Sequence, residues 1–238
     1  DIFEELDGNL LYAFKKDSSN TKIVEVDRTA GTETDVVTGI TGQEAQDSTS
    51  LNGIFYFLND GKEIGSYNKQ SDSTTNITRN GTEEAQLIAS DESRVWAVFR
   101  LASSATTEFL RFSDLSASGA VGTFVESGTN LNRAGIAQSD ITNFTALVGA
   151  GQYVVACGEN KTEVHKIPNF GSVSQPVFTA DISTLVHSFP KLGVSSKNAV
   201  IAIDDNVYMN PGDGTIAKIN VRTGSLKIYE QNKRQLES

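Results

Sequence analysis

Apolar residues fall along this chain in short bursts of four to eight, bounded by Gly, Asn, Asp and Ser. The 3.6-residue spacing of an amphipathic helix is nearly absent. Short apolar bursts between turn-forming residues predict strands. The bursts also recur. Glu44-Ala-Gln-Asp-Ser-Thr-Ser-Leu-Asn-Gly-Ile-Phe-Tyr-Phe57 parallels Glu84-Ala-Gln-Leu-Ile-Ala-Ser-Asp-Glu-Ser-Arg-Val-Trp-Ala-Val-Phe99. The first is followed by Lys62-Glu-Ile-Gly-Ser-Tyr67 and the second by Thr107-Glu-Phe-Leu-Arg-Phe112, and each unit then ends in a polar segment. Gly135-Ile-Ala-Gln-Ser-Asp140 reads as a third opening of this kind, and Leu192-Gly-Val-Ser-Ser-Lys197 as a fourth.

The apolar second strands are expected to begin near Asn9, Gly53, Arg94, Gln152 and Asn206, a spacing of roughly 40 to 58 residues. A strand-only repeat of about 40–50 residues is the signature of a β-propeller. The turns agree: Asn59-Asp-Gly61 and Pro211-Gly-Asp-Gly214 supply the positive-φ residues that tight hairpins need, and Asn169-Phe-Gly171 and Arg222-Thr-Gly224 punctuate later strand ends. The expected fold is therefore all-β, a single propeller domain over residues 1–238 with five four-stranded blades. An open edge strand invites aggregation, so the two terminal strands are expected to share one blade. A β-sandwich is the alternative architecture.

Composition narrows the function classes. The chain has 238 residues, a net charge of −10, one Cys, one Met and two His. One cysteine allows no intrachain disulfide and no Cys-based zinc site. No apolar run approaches the ~18 residues needed to span a bilayer as a helix, so membrane insertion is not expected. The acidic balance opposes a nucleic-acid partner. Richness in Ser, Thr, Asn and Gly, with a start at Asp1, points to a secreted or extracellular protein, and the charge to a soluble monomer. Cys157, in Tyr153-Val-Val-Ala-Cys157, reads as a buried small hydrophobe.

Candidate chemistry is sparse. His165 and His187 match no local metal-ligand spacing, and His165 falls on a strand whose alternate positions read as exposed. There is no nucleophile elbow, phosphate-binding loop or dinucleotide fingerprint. Asp204-Asp205-Asn206 could offer oxygen ligands to a hard cation, but without EF-hand spacing it reads as a solvated turn. No metal and no cofactor are expected.

The third unit carries a family resemblance. Leu87-Ile-Ala-Ser90, Arg94-Val-Trp-Ala-Val-Phe99, Thr107-Glu108-Phe109 and Gly122-Thr-Phe124 resemble the blade pattern of the fungal fucose-binding lectins, which are β-propellers. The resemblance implies sugar binding between blades, with Arg94 and Glu108 hydrogen-bonding the ligand and Phe124 stacking on it. In the second unit Ile54 and Ser66 stand at the Arg and Glu positions. The expected function is a non-enzymatic recognition module, lectin-like or protein-binding. The alternatives are a propeller hydrolase acting on glycans or phosphoesters through funnel carboxylates, and a structural assembly protein.

Overall fold

A computed structural model describes residues 3–7, 10–17, 20–41, 47–59, 63–79, 81–104, 106–114, 120–125, 134–167 and 184–230. They form five four-stranded antiparallel sheets. Sheet 1 contains β1 (Phe3–Asp7), β2 (Leu10–Asp17), β3 (Asn20–Asp27) and β4 (Thr32–Thr41). Sheet 2 contains β5 (Ser48–Leu51), β6 (Ile54–Leu58), β7 (Ile64–Asn68) and β8 (Ser73–Ile77). Sheet 3 follows with β9 (Glu83–Ser90), β10 (Val95–Leu101), β11 (Glu108–Phe112) and β12 (Gly135–Ile136). Sheet 4 has β13 (Phe144–Ala150), β14 (Tyr153–Gly158), β15 (Lys161–His165) and β16 (Leu185–Pro190). A short 3-10 turn at Lys197–Ala199 leads into sheet 5, made of β17 (Val200–Ile203), β18 (Asn206–Met209), β19 (Thr215–Asn220) and β20 (Ser225–Glu230).

Each sheet is a run of consecutive hairpins, and the first strand of each packs on the first strand of the next: β1 on β5, β5 on β9, β9 on β13, β13 on β17. This is the radial arrangement of β-propeller blades, five of them among the described residues. It corrects one expectation: the terminal strands do not share a blade, since β1 belongs to sheet 1 and β20 to sheet 5. Pairing neighbours through short turns costs little loop-closure entropy. Each run of four strands therefore completes its own sheet and leaves none to exchange.

The core lies between sheets. β10 shows why its burst reads as continuously apolar. Val95, Ala97 and Phe99 face sheet 2, where they meet Tyr56, Leu58 and Ile64. Trp96 and Val98 alternate onto the other face and meet Phe144, Leu147 and Val154 of sheet 4. A strand buried on both faces loses the alternation seen on one-sided sheets. Tyr12 and Ile23 meet Phe55 and Phe57 between sheets 1 and 2. Val155, Cys157 and Val164 meet Val207, Met209 and Ile219 between sheets 4 and 5.

Two of the expected openings are displaced. Gly135-Ile136 is the outer strand of sheet 3, not the first strand of sheet 4, and Ala137 and Ile141 continue from it into the core between those sheets. Leu192 and Val194 pack in the core between sheets 4 and 5, ahead of the strand that opens sheet 5. The turn glycines Gly212, Gly214 and Gly224 do have positive φ (89°, 83° and 69°), as the hairpin reading requires. The turn at Asn59-Asp-Gly61 lies partly outside the described residues, and Asn169-Phe-Gly171 wholly outside them. Among the described residues no helix is long and apolar enough to cross a membrane.

Candidate functional site

The three residues singled out by the family resemblance are placed apart. Arg94 precedes β10 and is buried; its backbone N–H donates to Asp91 Oδ1 at 2.6 Å and its guanidinium to the Ser113 carbonyl at 2.6 Å. Asp91 also accepts from the indole N–H of Trp96 at 2.7 Å, so this carboxylate organises the β9–β10 turn. Glu108 lies at the far end of the same hairpin. It pairs across from Arg100, whereas Ser113 donates its N–H to Val95. Five residue steps separate Glu108 from Ser113, about 17 Å of strand. Glu108 accepts the backbone N–H of Phe144 at 2.8 Å and so ties sheet 3 to sheet 4. Phe124 is fully buried, edge-on to Phe99 with ring centroids 5.2 Å apart.

Side chains do converge on the propeller axis. The first strands of sheets 2 to 5 line a channel of about 450 Å³, walled by Thr49, Ser50, Ser90, Val148 and Val200 together with Lys197. Ser90 donates its only hydroxyl proton to the Ser50 carbonyl at 2.7 Å, so the 2.8 Å contact between Thr49 and Ser90 has Thr49 as donor. Ser48 Oγ, also on the channel wall, is buried with no hydrogen-bond partner. Beside the channel sits Asp47, 4% exposed. It accepts the backbone N–H of Ser48 at 2.8 Å, that of Ile88 at 2.9 Å, and a bond from the Lys197 ammonium. Burial raises the Asp47 pKa, with Lys197 and the two N–H groups opposing it.

The Asp47–Lys197 pair joins sheet 2 to the approach of sheet 5 across 150 residues of sequence. No spacing rule connects residues so far apart, and the sequence carried no signal for it. Replacing Lys197 by Met would leave a buried carboxylate without its cation. It is expected to lower stability by about 2–3 kcal/mol, measured by urea unfolding at pH 7. A loss below 0.5 kcal/mol (about the scatter of an ordinary surface change) would show that the pair is incidental.

The described part of the channel does not hold the pair of facing carboxylates that glycoside hydrolysis requires. Its wall is hydroxyl and aliphatic, and the neighbouring Asp47 is already neutralised by Lys197. Among the described residues no cluster of His, Cys, Asp and Glu could hold a metal.

A second polar cluster has the residue types of a catalytic triad with different wiring. His165, read from sequence as an exposed strand position, is fully buried, as is Glu163 two residues before it. Ser139 Oγ donates to Glu163 Oε2 at 2.6 Å. His165 Nε2 lies 3.2 Å from the same oxygen, and a carboxylate can only accept, so this nitrogen carries the proton. His165 Nδ1 faces Thr184 Oγ1 at 3.0 Å. A serine nucleophile needs the imidazole as its proton acceptor; here serine and imidazole both donate to the carboxylate. The cluster is a structural lock. Cys157 is no alternative nucleophile, because burial pushes its thiol up to about 12.

No protein-family model matches the chain, and no curated protein matches it in sequence. Its fold does have solved relatives. A chain in the crystal structure of the mitotic checkpoint complex superposes with a TM-score of 0.58 at 10% identity. The match covers 94% of the present chain and 61% of that one. At that identity the likeness establishes the fold: this is a β-propeller.

Proposed function

We propose that the protein is a non-enzymatic recognition module that takes a protein ligand at the mouth of its axial channel. The observation that carries the reading is the channel itself. It is a hydroxyl-lined concavity within the 300–1,000 Å³ range of ligand sites, set among buried networks that are committed to structure. Its hydroxyls and the Lys197 ammonium offer directional polar contacts, as a peptide backbone or polar loop requires. The protein-ligand branch is also supported by the structural neighbour, which is a component of a protein complex. For the sugar branch, Arg94, Glu108 and Phe124 are each committed elsewhere, to Ser113, Phe144 and Phe99 respectively.

A random-peptide display library and a glycan array, both run against the 238-residue chain, test the proposal. Enriched peptides are expected whose affinity falls about tenfold, or 1.4 kcal/mol, in Lys197→Gln, with circular dichroism unchanged. Peptides indifferent to that substitution, or glycans bound where peptides are not, would overturn it.

A further inference from the structure

Sheet 5 has one covered face and one open face, and the open one exposes large apolar residues around two lysines. Strand registers place Ile201 opposite Tyr208, Tyr208 opposite Lys218, Ile216 opposite Tyr229 and Lys218 opposite Lys227, so these residues share a face. Ile203 joins them two residues beyond Ile201. Ile201 is 58% exposed, Ile203 54%, Tyr229 48% and Ile216 39%. The opposite face, built from Val207, Met209, Ala217 and Ile219, is buried against sheet 4.

The preceding sheets show what such a face is for. On sheet 3, Trp96, Val98 and Leu110 occupy the corresponding face and are covered by sheet 4. On sheet 4, Val155, Cys157 and Val164 occupy it and are covered by sheet 5. On sheet 5 Tyr208 and Lys218 stand at the central positions with Ile201, Ile203, Ile216 and Tyr229 around them, and a cavity of about 630 Å³ opens between Lys197, Ile201, Tyr208 and Ile216. Contiguous exposed apolar surface of this kind marks an interface.

We infer that the open face of sheet 5 is a further inter-sheet interface, occupied by a sixth four-stranded sheet that follows β20 in the polypeptide. In all four junctions of the fold the covering sheet is the next one in sequence. Residues 231–238 contain a single large apolar residue, Leu236, and do not constitute that sheet. A second copy of the chain fits poorly, because self-docking would set Lys218 and Lys227 against their own copies and bring together two chains of net charge −10. The sheet that fits has small aliphatic residues at its centre and acidic residues opposite the two lysines. A longer stack also agrees with the solved propeller, 61% of which is matched by these five sheets.

Four measurements test this. The 238-residue chain is expected to be monomeric in light scattering and to bind the dye ANS, with the binding lost in the double variant Ile201→Lys, Ile216→Lys while circular dichroism is unchanged. Antibodies raised against the chain are expected to detect, in the native source, a polypeptide larger than 25.6 kDa by at least one repeat of about 40 residues. In that longer polypeptide, amide exchange at Ile201, Ile203 and Ile216 is expected to slow by about tenfold or more relative to the 238-residue chain. A native polypeptide of 25.6 kDa, a dimer dissolved by the double variant, absence of ANS binding, or unchanged exchange would each overturn the inference.

Discussion

Replacing Glu163 by Ala is expected to lower stability by about 3–5 kcal/mol, the range for breaking a buried charged network by removing one partner. Four donors converge on this carboxylate: Ser139 Oγ, the Asp140 backbone N–H, the Lys161 ammonium at 2.8 Å, and His165 Nε2. Alanine removes this acceptor from all four: the fully buried His165 Nε2–H is left without one, while Lys161 keeps its bond to Asp140 Oδ2 at 3.0 Å. Burial alone would raise the Glu163 pKa, but the bonds from His165, Lys161, Ser139 and Asp140 outweigh it and hold the group at about 2. A carboxylate lowered in this way stabilises the fold fully above its ordinary pKa near 4.5, and that contribution is lost as pH falls through the folded-state value. The gap between wild type and Glu163→Ala should therefore be widest at neutral pH and narrow between about pH 4.5 and 2. Urea unfolding at pH 7, 4 and 3 reads this directly, with the denaturant slope as a check that the unfolded state is unchanged. A gap at pH 7 below 1 kcal/mol, or one that fails to narrow in acid, would contradict the network.

The same residue marks how far sequence reaches into this fold. Glu163 and His165 lie two apart on a strand, which puts both on one face, and polar side chains on one face ordinarily mean solvent. What buries them is the arrival of Ser139, Lys161 and Thr184, supplied in part by other segments. Strand position was far more legible. The apolar second strands begin at Leu10, Ile54, Val95, Tyr153 and Asn206, within one residue of the starts expected from the repeat. They were readable because burial on both faces makes each an unbroken apolar run between turn residues. The first strands of sheets 4 and 5 were less so: Phe144–Ala150 and Val200–Ile203 begin about nine and eight residues after the motifs taken to announce them. Those motifs are rich in small residues, and small residues serve equally in an inner strand, an outer strand or a linker that fills the core. Arg94 and Glu108 were visible as charges at opposite ends of an apolar hairpin. Their partners, the Ser113 carbonyl and the Phe144 N–H, are backbone groups that no side-chain pattern announces.

The propeller axis supplies the other large expected effect, at Gly149. This residue sits in β13, where the first strand of sheet 4 passes the end of β9 in sheet 3. A Cβ added there would lie 1.7 Å from the Ser90 carbonyl oxygen. The need for glycine is steric, because Gly149 is not among the residues with positive φ. Overpacking a core commonly costs about 1–3 kcal/mol, since side chains can turn aside. Here the obstacle is backbone in a paired strand: Ser90 lies opposite Val95, and its hydroxyl bonds the Ser50 carbonyl in the next sheet. Relief requires moving one whole strand away from the other, which would spread the channel wall and loosen the hydroxyl chain along it. Gly149→Ala is therefore expected to destabilise by more than about 3 kcal/mol. Gly81→Ala, with nothing within 4 Å of the added carbon and no positive φ, provides the comparison. It should stay within about 0.5 kcal/mol of wild type, as ordinary surface changes do. If thermal and urea unfolding place the two variants within 1 kcal/mol of each other, the close approach of sheets 3 and 4 at the axis is not what the fold depends on. If Gly149→Ala instead folds at a cost of several kcal/mol and also loses its selected peptides, tight packing of the inner strands and recognition at the channel have a common structural origin.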